Sequence, residues 1–368
     1  MEKTDILVIG AGIMGLAASF FLSEENSNVT LIDRSFIGRE ASGATAGTMS
    51  FQNKELSLIP FVQEGMHIWR LFHEKLGDEI EFRQPGGFRI AENKEELSAL
   101  QDSVKMQRKA GLDVVFLRGE ELKKIAPYLG PSVIAASYYD KDGRSNPLTT
   151  CLALARAVSK NGAKVIENEI VEGIQVENTR RFVVRTSKRM FRTSCILNAA
   201  GVWSKDIFKM IGLDFPITLD PMQAMVTEPS PPILDHIITH VRGNLTLKQV
   251  DSGNLVIGGG WKGQGDEKRN IKKLLYESMK GNIQSALRAV PALSGINMMR
   301  CWVGLEGRTP DKMPLLGELR SLPGFFTSTC VKGGWTLGPI LGKLVAEAIL
   351  GKKPSMPIEH FHPGRFIK

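Results

Sequence analysis

Six residues near the N-terminus, Gly10-Ala11-Gly12-Ile13-Met14-Gly15, have the types and spacing to hold a diphosphate. Gly10 permits a tight turn, Gly12 lets backbone approach the phosphates, and Gly15 lets a following helix lie close on a preceding strand. Amides at the first turn of that helix, together with its dipole, then favour the negative charge. Asp33 follows eighteen positions after Gly15, where a carboxylate can accept both hydroxyls of an adenosine ribose and repels a 2′-phosphate. These residues read as a site for the adenosine half of a dinucleotide.

The elements that must position them are also legible. Ile6-Leu7-Val8-Ile9 is too short an apolar run for a helix and suits a buried parallel strand. Leu16, Ala17, Phe20, Phe21 and Leu22 keep a helical stripe, and Val29-Thr30-Leu31-Ile32 forms a second strand that ends at Asp33. Strand, turn, helix, strand and terminal acid in this order make a βαβ unit, a far more specific signal than a glycine motif alone.

Bulk properties bound the rest. The chain has 368 residues, 42% hydrophobic and 23% charged, enough for two domains or for one large nucleotide-binding domain carrying an inserted lobe. Its net charge of +8 is spread over short clusters such as Lys188-Arg189, Lys268-Arg269, Lys272-Lys273 and Lys352-Lys353. Scattered and without interleaved aromatics, these read as solvated faces or as attraction for anionic ligands or an acidic protein partner, and not as a nucleic-acid surface. Cys151, Cys195, Cys301 and Cys330 lie far apart in apolar segments, which predicts buried free thiols and no metal centre. The first apolar run is too short for a signal sequence, and Trp335 to Leu350 is interrupted by Lys343 and Glu347, so a cytoplasmic chain without a transmembrane span is expected.

The segment after the second strand separates NAD from FAD. Arg34 is succeeded by Gly38-Arg39-Glu40-Ala41-Ser42-Gly43-Ala44-Thr45-Ala46-Gly47-Thr48-Met49, a small-residue stretch where an NAD domain usually enters another helix. This stretch resembles the loop of the D-amino-acid oxidase superfamily, which includes glycine oxidase, the sarcosine oxidases and the β subunits of dye-linked proline and opine dehydrogenases. The resemblance covers nearly the whole chain. Tyr139 to Pro147 is similar to the return from the family's substrate lobe, with Asn146 capping and Pro147 opening a helix to Lys160. A strand from Gly162 to Ile166 comes next, then Val171 at the adenine position, then Cys195 to Ser204 as the second glycine turn. Gly304 to Asp311 with Pro314 to Gly317, and Lys332-Gly333-Gly334-Trp335-Thr336-Leu337-Gly338-Pro339, complete the pattern.

The resemblance implies an α/β fold: an FAD-binding Rossmann-like domain of glutathione-reductase type, with an inserted α+β substrate domain on a mostly antiparallel sheet. The expected boundaries are 1–82, 143–220 and 297–368 for FAD, and 83–142 with 221–296 for substrate. Gly86 to Ala91, Leu245 to Gln249 and Leu255 to Gly260 are expected strands of the latter. Noncovalent FAD is expected, because the cysteine that anchors flavin in monomeric sarcosine oxidases falls near Gly304. The implied cofactor contacts are Gly10, Ala11, Gly12, Ile13, Met14, Gly15, Asp33, Arg34, Ser42, Gly43, Thr45, Ala46, Gly47, Val171, Ala200, Gly201, Trp203, Gly304, Gly333, Gly334, Trp335, Thr336 and Leu337.

The implied reaction passes a hydride from the α-carbon of an amine or amino acid to flavin N5, and the imine product is hydrolysed. Lys332, Arg308, Lys248 and Met49 are the candidates on the reacting face. Glu306 stands where glycine oxidase has an arginine, which leaves Lys332, Arg308 or Lys248 to bind the substrate carboxylate, with Lys332 equally placed for a flavin oxygen and Arg308 for a pair with Glu306. Thr246 to Gly253 and Met222 to Pro229 are more similar to the β subunits of heteromeric enzymes, and Val256 aligns with the lysine linked to oxygen reactivity in monomeric sarcosine oxidases. Together these imply a dehydrogenase whose electrons leave through partner subunits. Oxidation of 2-hydroxy acids or glycerol phosphate on the same fold, and a flavin-bearing subunit without catalysis, are the alternatives.

Overall fold

A computed structural model of the protein describes residues 1–178 and 180–367. Its first sheet has six strands in the order Leu315–Glu318, Phe325–Thr329, Cys195–Asn198, Ile6–Ile9, Val29–Ile32 and Lys164–Ile166. All neighbours run parallel except Leu315–Glu318. Ile6–Ile9 lies centrally and is buried at every residue, which is why its sequence is apolar without alternation. Helices Ile13–Glu24 and Gly334–Ile349 pack against each other beside this sheet, and Ile59–Leu76 packs on the second of them. Asn146 accepts from the Leu148 and Thr149 amides and opens the helix Pro147–Lys160.

A second sheet of eight strands runs Met298–Arg308, Thr218–Pro229, Asn254–Gly258, Thr246–Gln249, Ile237–His240, Gly87–Ala91, Ala135–Tyr139 and Val115–Arg118. It is antiparallel apart from the pairing of Ile237–His240 with Gly87–Ala91. Alternation sorts its side chains: Phe88, Met225, Ile238, Leu247, Leu255 and Ile257 join a core with Ala286 and Ala289 of the helix Tyr276–Ala289. The opposite face carries Ala224, Gly258, Thr246 and Thr239, which register places side by side in one row across four strands. A smaller four-stranded sheet joins Glu2–Lys3 to three antiparallel strands between residues 171 and 193.

The molecule is thus an α/β fold in which a largely parallel nucleotide-type sheet adjoins a mostly antiparallel one. Among the described residues, no helix is long and apolar enough to cross a membrane. Cys151, Cys195 and Cys330 are buried free thiols, but Cys301 is partly exposed because its strand forms the edge of the larger sheet.

Candidate functional site

Two connected cavities meet between the sheets. The larger, about 410 Å³, starts at Asp33, Val171 and Trp203, passes the first helix turn, and reaches Glu306 and Gly333. The smaller, about 230 Å³, continues from Thr45, Thr48, Glu306 and Gly333 to the Thr239–Thr246–Gly258–Ala224 row.

At the Asp33 end of the larger cavity the chain geometry explains the glycines. Gly10 has φ +112°, and a Cβ there would stand 2.5 Å from the Ala199 carbonyl oxygen. A Cβ on Gly15 would fall 1.9 Å from the Gly10 oxygen, so the helix can rest on the strand end only with glycine. Ile13 donates its amide to Ser42 Oγ at 2.9 Å. The amides of Gly12 and Met14, which line the cavity, have no protein acceptor among the described residues, which leaves them for an anion. Asp33 accepts from the Ala11 amide at 2.7 Å and from the Ser35 amide at 2.8 Å. Burial raises its carboxyl above the usual range while those two donors pull it back. Arg34 lies over the Trp203 ring at 4.7 Å, and Trp203 donates its indole N–H to the Glu267 carbonyl at 2.9 Å.

Between these ends the loop 41–48 is held at three carbonyls. Ala44 accepts from the Trp302 indole at 2.7 Å, Ala46 from the Lys248 ammonium, and Gly47 from the Ser145 amide at 3.0 Å. The unfilled amides, the ribose-type carboxylate and the glycine-lined passage to Gly333 and Gly334 fit a flavin dinucleotide in extended form.

The expected cofactor residues divide. Gly10, Gly12, Ile13, Met14, Asp33, Arg34, Ser42, Thr45, Val171, Ala200, Gly201, Trp203, Gly333, Gly334 and Trp335 line the larger cavity, and Ala46 and Gly304 line the smaller. Ala11, Gly15, Gly43, Gly47, Thr336 and Leu337 stand behind the walls. Ala11 serves through its hydrogen bond to Asp33, and Gly43 is packed against the Gly38 oxygen and Leu148. Thr336 and Leu337 are buried in the helix Gly334–Ile349, where the Thr336 carbonyl accepts from the Trp69 indole at 3.3 Å.

The four reacting-face candidates divide as well. Met49 is fully buried in the core, because strand alternation turns Thr48 and Ser50 to the cavity and Met49 away from it. Lys248 is on the cavity side of its sheet, but its ammonium is tied to the Ala46 carbonyl and, at 3.0 Å, to Thr48 Oγ1. Arg308 lines the smaller cavity with its guanidinium paired to Asp220 and, at 3.3 Å, to Glu306. Lys332 is exposed at the cavity rim and has no ion pair among the described residues. Glu306 borders both cavities, and burial raises its carboxyl despite Arg308 beside it.

Two residues escaped the sequence reading. Lys54 lines the smaller cavity from the polar segment directly after the loop. Asp142 is buried beneath it and accepts from the Phe51 amide at 2.8 Å, Ser50 Oγ at 3.0 Å and Gln52 Nε2 at 3.4 Å. The advance signal for Lys54 was polarity, since Ser50-Phe51-Gln52-Asn53-Lys54-Glu55 is mostly hydrophilic directly after a motif that leads into the interior, and Asp142 lay within the Tyr139 to Pro147 motif without a role of its own.

Fold and site together define a flavin-dinucleotide oxidoreductase. A family model described as FAD dependent oxidoreductase, DAO, matches residues 5–348, and the chain belongs to that family. A subunit of opine oxidase from Rhizobium meliloti is 26% identical over 379 residues, covering 100% of this chain and 98% of that protein. Mitochondrial sarcosine dehydrogenase of Homo sapiens is 26% identical over 384 residues, but this chain spans only 42% of its length. Among solved structures, L-proline dehydrogenase from P. horikoshii superposes with a TM-score of 0.90 at 27% identity, covering 99% of this chain and 98% of that one.

Proposed function

We propose that this FAD-dependent oxidoreductase oxidises an amine or amino acid, as the catalytic β-type subunit of a heteromeric dehydrogenase. The observation that carries the reading is the meeting of the two cavities at Thr45, Thr48, Glu306 and Gly333, which sets a small chamber with charged side chains on a partly apolar wall against the end of a dinucleotide cleft. Relatives named for opine oxidase, sarcosine dehydrogenase and L-proline dehydrogenase all act on substrates bearing nitrogen, by their names. The opine oxidase relative is also named as a subunit, which supports the heteromer.

Bound FAD supplies the acceptor for two electrons and a hydrogen. The chain's own task is to grip the substrate, align its C–H bond and exclude water. As that bond breaks, the nitrogen lone pair forms C=N, and the remaining amine proton leaves to solvent. Lys332 stands at the rim to attract anionic substrate. A noncovalent coenzyme is supported by Gly304, where an added Cβ would meet Ala44 Cβ at 2.7 Å and leave no room for a linking side chain.

The test is anaerobic mixing of the holoprotein with amino acids, N-methyl amino acids, opines and 2-hydroxy acids. Loss of oxidised flavin absorbance with an amine, followed by faster reoxidation with an artificial dye than with oxygen, is expected. Bleaching only by hydroxy acids would overturn the substrate class, and rapid reoxidation by oxygen would overturn the dehydrogenase reading.

A further inference from the structure

The cations around the smaller cavity differ in what already holds them. Arg308 is shared by Asp220 and Glu306, and Lys262 is paired with Asp220 as well. Lys248 is engaged by the Ala46 carbonyl and Thr48. Lys312 and Lys332 are exposed at the mouth. Lys54 alone among these lining lysines is half-buried, and its ammonium has neither a hydrogen bond nor an ion pair among the described residues.

Its position is fixed from several sides. Asp142 binds the three residues Ser50, Phe51 and Gln52, and the Gln52 carbonyl accepts from Gln107 at 2.8 Å and from Arg89 at 3.1 Å. On its far side Lys54 passes so close to the last glycine turn that a Cβ on Gly333 would stand 2.7 Å from Nζ. A half-buried ammonium that lines the cavity without a protein acceptor among the described residues is suited to an anion of the ligand.

We propose that Lys54 is the carboxylate anchor of this site and that the substrate is an α-amino acid, free or N-substituted, lying with its carboxylate toward Lys54 and its nitrogen toward Glu306. The assignment rests on the amine-oxidation reading and gives it a direction. It accounts for an acid at position 306: a cation there would compete for the carboxylate, whereas Glu306 accepts a hydrogen bond from an amine at the junction of the two cavities. Substrates lacking a carboxylate forgo this charge-assisted contact, so simple alkylamines are expected to bind more weakly than amino acids.

Titration of the flavin absorbance of the holoprotein with pyrrole-2-carboxylate and its carboxamide tests this. Lys54→Met is expected to weaken the carboxylate by about tenfold or more, the effect of losing a charge-assisted hydrogen bond, and to leave the carboxamide unchanged. Lys54→Arg should restore carboxylate binding, and retained flavin in both variants shows that they fold. Equal carboxylate affinity in wild type and Lys54→Met overturns the assignment. So does a change in ligand-free flavin absorbance and sulfite affinity with no change in carboxylate affinity, which would put Lys54 on the coenzyme. Because these titrations use no turnover, they stand apart from the bleaching experiment, in which failure with every amine would overturn the oxidation reading itself.

Discussion

Asp33 and Ala11 are joined across the mouth of the first turn, the Ala11 amide donating to Asp33 Oδ2 at 2.7 Å. The bond joins the carboxylate at the end of the second strand to the backbone of the glycine turn as one unit, so neither can be altered alone.

Asp33→Ala should therefore lose coenzyme more severely than a single ribose contact would suggest. Two amides, Ala11 and Ser35, lose their acceptor along with the two ribose hydroxyls. The ratio of flavin to protein absorbance after purification is expected to fall below about a tenth of the wild-type value, consistent with the loss of two charge-assisted bonds. A variant retaining full flavin would contradict the placement of adenosine at this end.

Lys248→Met removes the bond that ties the larger sheet to the coenzyme loop. The Ala46 carbonyl then has no donor in a buried place, and a cost of about 1–3 kcal/mol is expected in thermal or urea unfolding of the holoprotein. Burial holds the Lys248 ammonium well below its ordinary value. A depressed lysine means that the folded state binds fewer protons than the unfolded one, so its contribution grows as pH rises toward the unfolded value near 10.5. Wild type should gain stability relative to Lys248→Met over the alkaline range, and a constant difference would argue against a buried ammonium.

Asp142 gives the opposite slope. Burial pushes its carboxyl up to about 7, against the pull of Phe51, Ser50, Gln52 and the Lys54 charge. A carboxyl raised in the folded state stabilises at low pH and loses that contribution as pH climbs from the unfolded value of about 3.8 through 7. Between pH 5 and 8 the wild type is expected to lose on the order of 2 kcal/mol relative to Asp142→Asn. Parallel pH–stability curves for the two proteins would remove Asp142 from this role.

Carboxylate affinity should also carry a signature of Lys54. Burial first, and then the Lys332 charge, bring its ammonium down to about 8 against the attraction of Asp142 and Glu306. Binding of pyrrole-2-carboxylate is expected to hold below pH 8 and to weaken by about tenfold per unit above it, as the ammonium loses its proton. Lys54→Arg should abolish the fall, since arginine stays charged.

The legible part of this protein is the part whose causes are local. Gly10, Gly15 and Asp33 are dictated by a turn, a helix contact and a strand end within one βαβ unit, so their spacing alone displays them. The strands Gly87–Ala91, Thr246–Gln249 and Asn254–Gly258 were visible from β-type residues and turn chemistry, to within two residues at their ends. What the sequence hides depends on register between distant segments. The Glu306 partner of Arg308 is visible two residues away, but Asp220, which also pairs with Arg308, comes from the neighbouring strand, where it stands opposite Glu306. Met49 looked reactive from its place in the motif, yet one residue of pleat separates an inward side chain from a cavity-facing one. Lys54 lies in no motif at all; it becomes visible only when the Gly333 turn, almost three hundred residues away, closes over it.

The loop at Ala44, Ala46 and Gly47 is clasped by Trp302, Lys248 and Ser145, none of which belongs to the ligand. Its ordering entropy is therefore charged to the folding of the polypeptide and not to capture of the flavin. An apoprotein built this way offers a ready mould that gains affinity from rigidity, and release of its coenzyme is expected to wait on local opening of these contacts. Flavin exchange should thus lag far behind turnover, so that each molecule works through many catalytic cycles with the same coenzyme in place.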